Sequence, residues 1–125
     1  VPSVRPLVSE FALRDAAGRD ATLEVITRPG RVYMLCVTDF ERQSKRCTRR
    51  MAELVERARS EGAWVVCLTP DLLHGAMTHD FGTGGVPCYN IDASTMKTML
   101  RAECGLVTLD DGTITAKQNC RDIRP

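Results

Sequence analysis

The segment Arg31-Val32-Tyr33-Met34-Leu35-Cys36-Val37-Thr38-Asp39-Phe40 decides the fold of this 125-residue chain. Its apolar run, residues 32–37, is rich in β-branched and aromatic side chains, which predicts a strand buried on both faces of a mostly parallel sheet. Residues 38–45 form a polar exit from this strand, and an amphipathic helix follows. Because open α/β sheets bind ligands where a central strand ends and the next helix begins, we expect the functional site between Thr38 and Arg50.

The helix after this strand is predicted over Gln43 to Ser60, where Cys47 and later apolar residues recur at helical spacing. Two starts are open. Ser44 is a suitable N-cap, whereas Thr38 and Glu41 have the spacing of a capping box. The choice matters because the first start leaves Cys47 in the first turn, and the second carries it into the core.

The other elements follow from shorter patterns. Strands are predicted at 11–13, 64–68 and 86–91, helical segments at 70–81 and 93–102, and a hairpin at 106–117, while 21–27 fits a strand or a helical turn. Pro87 near the start of 86–91 predicts an edge strand, and Asp111-Gly112 is a hairpin turn signal. Strands joined by helices should be parallel, with 32–37 beside 64–68 at the centre, and the last two strands antiparallel.

The composition is that of a soluble globular protein, with 43% hydrophobic and 26% charged residues. A net charge of +1 gives no basic field for nucleic acid, and no apolar run approaches the roughly 20 residues that span a bilayer. Residues 1–9 are predicted to be a linker and residues 10–125 a single domain, excised from a longer protein.

Six cysteines are many for this length, but no two have CxxC spacing. The spacing therefore predicts neither a zinc site nor the usual dithiol motif, and no metal or cofactor is expected. Cys36 and Cys67 fall inside predicted strands, where cysteine acts as a small hydrophobe. His74 and His79 lack the spacing of a helical metal pair and are interpreted as surface residues.

The order of elements resembles the thioredoxin fold, in the variant of peroxiredoxins and TlpA-like proteins. Phe11-Ala-Leu-Arg-Asp with Gly18 is similar to their opening "F-x-L-x-D-x-x-G", and Tyr89-Asn-Ile-Asp92 to their "P-V-x-x-D". Residues 106–116 resemble their hairpin. The resemblance implies an α/β thioredoxin-like fold, with a central mixed sheet flanked by helices and a C-terminal antiparallel hairpin.

A more detailed resemblance is to the soluble thioredoxin-like domain that follows the membrane helices of DoxX-like proteins of Bacteroidetes. Lys97-Thr-Met-Leu-Arg101-x-x-x-Gly105-Leu106 is similar to its "L-K-T-M-I-R-x-N-P-G-L". This resemblance implies the soluble part of a bacterial inner-membrane protein, tethered to transmembrane helices outside this chain. No catalytic residues are transferred with it.

The candidate site departs from the thioredoxin and peroxiredoxin motifs. Ser44-Lys-Arg-Cys47 stands where thioredoxins carry CxxC, and Ser44 occupies the Thr position of the peroxiredoxin "PxxxTxxC". Cys104 stands at the cis-Pro position. The resemblance implies that Cys47 and Cys104 are near enough to pair, with Cα atoms about 4.4–6.8 Å apart.

Two functions are open, and with them whether the domain is an enzyme. Loss of CxxC and of the cis-Pro favours an accessory domain that binds a protein or peptide partner beside Cys104. The alternative is an atypical thiol–disulfide oxidoreductase or peroxiredoxin-like enzyme, with Cys47, Cys104 and Ser44 as candidate catalytic residues. The basic residues around Cys47 predict a lowered thiol pKa, whereas its place on the apolar stripe is equally typical of a core residue.

Overall fold

A computed structural model describes residues 12–15, 17–39, 44–70, 78–80, 85–100 and 104–120. The predicted linker and His74 lie outside these ranges. The described strands are β1 (Leu13–Arg14), β2 (Arg31–Val37), β3 (Trp64–Thr69), β4 (Thr78–Asp80), β5 (Gly85–Ile91), β6 (Cys104–Asp110) and β7 (Thr113–Asn119). The helices are α1 (Thr22–Ile26), α2 (Lys45–Glu61) and α3 (Ala93–Leu100).

The strands form one mixed sheet in the order β1-β5-β3-β2-β6-β7, with β4 paired to the start of β5. The central pair β2 and β3 is parallel, as predicted, with Leu35 opposite Cys67. Strand β6 is antiparallel to both β2 and β7. As a result, the end of β2, the start of β6 and the end of β7 lie at the same end of the sheet.

Both faces of β2 are buried, because its six apolar residues alternate between two core layers. Leu35 and Val37 face α2, and Met34 and Cys36 face the layer that contains α1 and Met96 of α3. This burial explains the unbroken apolar run in the sequence. No helix in the described ranges is long and apolar enough to cross a membrane.

The start of α2 is at Lys45, which decides between the two predicted starts. Ser44 has extended backbone angles, and its side chain accepts a hydrogen bond from the backbone N–H of Cys47 at 3.1 Å. This is the geometry of an N-cap. The helix ends at Gly62, whose φ of 76° is the left-handed conformation that glycine adopts without steric cost.

Two predictions for the region before α3 are wrong. Residues Thr78–Asp80, expected to be helical, form β4 and pair with residues 85–87; residues 71–77 and 81, from the same prediction, lie outside the described ranges. Strand β5, expected at an edge, lies between β3 and β1. Pro87 is tolerated because the β3 ladder begins only at Cys88, so the missing N–H breaks no pairing with β3.

The hairpin is confirmed, with Asp111 at φ 50° and Gly112 at φ 83°. Positive φ at both central residues defines a type I′ turn. The turn also packs against the loop before β2, since Asp111 and Gly30 exchange two hydrogen bonds of 2.8 and 2.9 Å. The hairpin is therefore held at both its turn and its β2 partner, which fixes where its two open ends lie.

Candidate functional site

Three cysteines meet at the end of the sheet where the central strand β2 ends. Cys104 is the first residue of β6 and lies opposite Val37, the last residue of β2. Cys120 directly follows β7, whose last residue, Asn119, lies opposite Gly105. Cys47 reaches the same place from the first turn of α2. We call these three residues the cysteine cluster.

The sulfur atoms of the cysteine cluster all lie within 4.8 Å of one another. Cys47 and Cys120 form a disulfide with a Cα–Cα distance of 5.6 Å, which is typical of such bonds. Cys104 is a thiol, and its Sγ lies 3.2 Å from Sγ of Cys47. A thiol in contact with a disulfide is the arrangement that thiol–disulfide exchange requires.

The cysteine cluster is shielded unequally from solvent. Cys47 is 5% exposed and Cys120 is 9% exposed, whereas Cys104 is half-buried. Both partners of the disulfide pack into the core layer under α2, and Cys104 lies at its margin. A solvent thiol therefore reaches Cys104 more easily than it reaches the disulfide.

The surroundings of the cysteine cluster are positively charged. Lys45, Arg46 and Arg49 lie exposed on the first two turns of α2, which has no acidic residue in its first turn. Arg50 is half-buried, and its Nη1 donates to the backbone carbonyl of Cys120 at 3.5 Å. These cations and the helix N-terminus both favour negative charge on a nearby sulfur.

The remaining cysteines lie elsewhere in the sheet. Cys36 faces the opposite core layer, and complete burial raises the pKa of its thiol to about 12. Cys67 and Cys88 lie opposite each other in the β3–β5 ladder, and burial also raises the pKa of Cys67. Burial holds the thiols of Cys36 and Cys67 in the neutral form, and both serve as apolar packing residues, as the sequence predicted. Cys88 differs, because its hydrogen bond with Cys67 lowers the pKa of its thiol.

The structure brings together two of the three predicted site residues and adds one. Cys47 and Cys104 are near neighbours, as expected, but the disulfide of Cys47 is formed with Cys120 and not with Cys104. The catalytic role of Cys47 and Cys104 stays a prediction. Ser44 caps the helix with its hydroxyl oxygen, and this structural use does not test a catalytic one. No peptide bond among the described residues is cis.

Cys120 was missed, although the sequence contained a signal for it. A two-residue turn at 111–112 sets the pairing of the two hairpin strands, so that Cys104 faces the chain near residue 119. A register shift between Thr108 and Leu109 then moves the pairing by one residue, which brings Cys120 beside Cys104. Extending the predicted hairpin to both of its ends would have identified the third cysteine.

Solved structures share this arrangement of elements. A thioredoxin from Wuchereria bancrofti matches with a TM-score of 0.51 at 13% identity, covering 94% of this chain and 88% of that one. The exposed lipoprotein thioredoxin of Streptococcus pneumoniae matches with a TM-score of 0.57 at 13% identity, covering 87% of each chain. BsSco, a Sco-family cytochrome c oxidase assembly protein with a disulfide switch, matches with a TM-score of 0.55 at 11% identity, covering 90% of this chain and 82% of that one.

Sequence comparison adds nothing to this result, since no family model and no curated protein matches the chain. At these identities the structural matches establish the fold alone. The three matches each cover 87% or more of this chain. The chain therefore has a thioredoxin-like α/β fold, with three cysteines at the position where β2 ends and α2 begins.

Proposed function

We propose that this domain is a thiol–disulfide exchange protein that uses the cysteine cluster in place of a CxxC motif. The observation that carries the proposal is the 3.2 Å distance between Sγ of Cys104 and Sγ of Cys47, which is itself bonded to Cys120. The thioredoxin-like fold, and the disulfide switch found in the structurally similar protein BsSco, support a redox function for this domain.

The first step is an internal exchange. The thiolate of Cys104 attacks Sγ of Cys47, forming a Cys47–Cys104 bond and breaking the Cys47–Cys120 bond. The electron pair of the broken bond stays on Cys120, which takes up one proton in place of the proton that Cys104 lost. No outside oxidant or reductant is needed, because one disulfide replaces another.

The second step transfers electrons from a substrate dithiol. The exchange moves the disulfide to Cys104, the more accessible member of the cluster. A substrate thiolate attacks Sγ of Cys104 and releases the Cys47 thiolate. The second substrate thiol, as its thiolate, then displaces Cys104. The substrate leaves as a disulfide. Its two electrons and two protons stay on the protein, which therefore gains two thiols.

The N-terminus of α2 suits Cys47 to be the leaving group in this step. The backbone N–H of Cys47 donates a hydrogen bond to the Ser44 side chain, and basic residues surround this turn. A stabilised thiolate departs more readily, so the same charges that oppose the helix dipole would assist the reaction.

A redox titration tests the proposal. The chain is equilibrated in glutathione buffers of graded potential, its thiols are alkylated, and the oxidised fraction is measured by mass. An exchange disulfide should give a midpoint between about −270 and −120 mV, whereas a structural disulfide lies below about −300 mV. Cys104→Ser should slow reduction of the disulfide by dithiothreitol, and Cys36→Ala, on the other face of the sheet, serves as the matched control.

The second candidate is a non-catalytic accessory domain that binds a protein or peptide partner. The near-complete burial of Cys47 favours it, because a shielded disulfide is also typical of a structural cross-link. Under this second proposal, the chain is a member of the DoxX-like group and is attached to membrane helices outside these 125 residues. A midpoint below about −300 mV, with no effect of Cys104→Ser, would support it over the exchange function.

A further inference from the structure

The cysteine cluster has a property that the exchange reaction does not use. When its disulfide is reduced, three thiols lie side by side, with sulfur atoms that are within 4.8 Å of one another in the oxidised structure. Backbone pairing places two of them, since Val37 lies opposite Cys104 and Gly105 lies opposite Asn119, while the N-capped start of α2 places Cys47. None of these contacts is the disulfide bond itself. Reduction therefore leaves a set of soft sulfur ligands already assembled.

We propose that the reduced cysteine cluster binds one Zn²⁺ ion through the sulfur atoms of Cys47, Cys104 and Cys120. Zinc bonds thiolate sulfur at about 2.3 Å, so a tetrahedral ion places its sulfur ligands about 3.8 Å apart. The Cys47–Cys104 distance of 3.2 Å and the 4.8 Å limit for the whole cluster enclose this value. Small side-chain rotations are enough to admit the ion.

The ligand set also defines the kind of site. Among the described residues, no histidine or carboxylate joins the three sulfur atoms. Three protein ligands leave the fourth tetrahedral position of zinc open, and sites with an open position accept water or a substrate atom. The open position would face the side of Cys104, the half-buried member of the cluster.

The charges around the cluster suit this complex. Three thiolates and one Zn²⁺ together leave a single excess negative charge. The N-terminus of α2 and the basic residues of its first two turns lie beside that charge, and Arg50 reaches the backbone of Cys120. The cations that are costly for the helix dipole are therefore favourable beside the metal complex.

Zinc binding goes beyond the proposed exchange function and does not require it. It needs only that the disulfide be reducible by a phosphine, which is itself oxidised to the phosphine oxide. Bound zinc and the Cys47–Cys120 disulfide exclude each other, because the same sulfur electrons form either the S–S bond or the metal bonds. The oxidised chain is thus an internal negative control.

The test uses the full chain, reduced by a phosphine and then freed of it. Zn²⁺ is titrated against a colorimetric chelator, and Cd²⁺ is used as a second probe because its thiolate complexes absorb in the ultraviolet. We expect one ion per chain in the reduced form and none in the oxidised form. Cys104→Ser and Cys120→Ser should each weaken binding by more than about tenfold, and Cys36→Ala should not.

A second measurement does not depend on the folding of variants. In the reduced wild-type chain, Zn²⁺ should protect Cys47, Cys104 and Cys120 from alkylation, as read by peptide mass. Less than one ion per chain, equal binding by the oxidised chain, or protection of other cysteines instead would overturn the proposal. The redox midpoint is measured without metal, so either proposal can fail while the other stands.

Discussion

Removing Cys120 should not remove the disulfide, because Cys104 can take its place. In the chain-entropy treatment, a disulfide stabilises the folded state according to the length of the loop that it closes. The Cys47–Cys120 bond spans 73 residues, for which this treatment gives about 4.4 kcal/mol. A Cys47–Cys104 bond spans 57 residues and gives about 4.2 kcal/mol.

These two loop terms differ by only about 0.2 kcal/mol, so chain entropy does not choose between the two disulfides. Local geometry and solvent access decide which of the two disulfides forms. Oxidised Cys120→Ser should therefore contain a Cys47–Cys104 bond, and reducing that bond should cost almost as much stability as reducing the wild-type bond. In the double variant Cys104→Ser/Cys120→Ser, reduction should cost nothing at this site.

The assay is urea unfolding of each variant in oxidised and in reduced form, and the quantity compared is the difference between the two unfolding free energies. The serine substitutions are present in both forms, so their own effect cancels. Peptide mapping under non-reducing conditions identifies the linked cysteines. Oxidised Cys120→Ser could lack a Cys47–Cys104 peptide, or its difference in unfolding free energy between the oxidised and reduced forms could equal that of the double variant. Either result would show that Cys104 is not positioned for exchange, and the reasoning would fail.

Three further predictions concern the fold. Gly112→Val should destabilise the chain by about 1–3 kcal/mol, because φ is 83° and a Cβ would lie 2.9 Å from the carbonyl oxygen of Ile26; an unchanged thermal midpoint would contradict the turn. Leu35→Ala should cost about 2–5 kcal/mol in urea unfolding, since the side chain is fully buried in the core. Hydrogen bonds from Arg31 lower the pKa of Asp110, so its stabilisation is present above the unfolded pKa of about 3.9 and is lost as pH falls through the folded value. Below about pH 4, Asp110→Asn should therefore lose less stability than wild type, and parallel acid-unfolding curves would refute this.

The local elements could be predicted from the sequence where one pattern has one physical cause. The apolar run of β2 predicts a strand buried on both faces, and Asp111-Gly112 predicts the turn, because few residues adopt positive φ without steric cost. Ser44 was identified as a possible N-cap. The structure was needed to choose it, since a capping box at Thr38 satisfies the same local rules.

The errors in the prediction have a tertiary cause. Residues Thr78–Asp80 form a strand because the start of β5, a few residues further along the chain, offers them antiparallel backbone partners. Pro87 suggested an edge strand, but the neighbouring ladder begins one residue later. In both cases the pairing of strands, rather than the preference of single residues, decided the outcome.

For the site, the sequence by itself determined that a cysteine lies in the helix after β2, among basic residues and without CxxC. The position of that cysteine within the helix stayed open between the two predicted starts. Only the tertiary structure decided which sulfur atoms meet. Cys47 lies 57 residues from Cys104 and 73 residues from Cys120 along the chain. The three residues converge because the antiparallel ladders place the start of β6 and the end of β7 beside the end of β2. Spacing along a chain reports only contacts within one element, whereas this cluster is made by the register of three strands and the capped end of a helix.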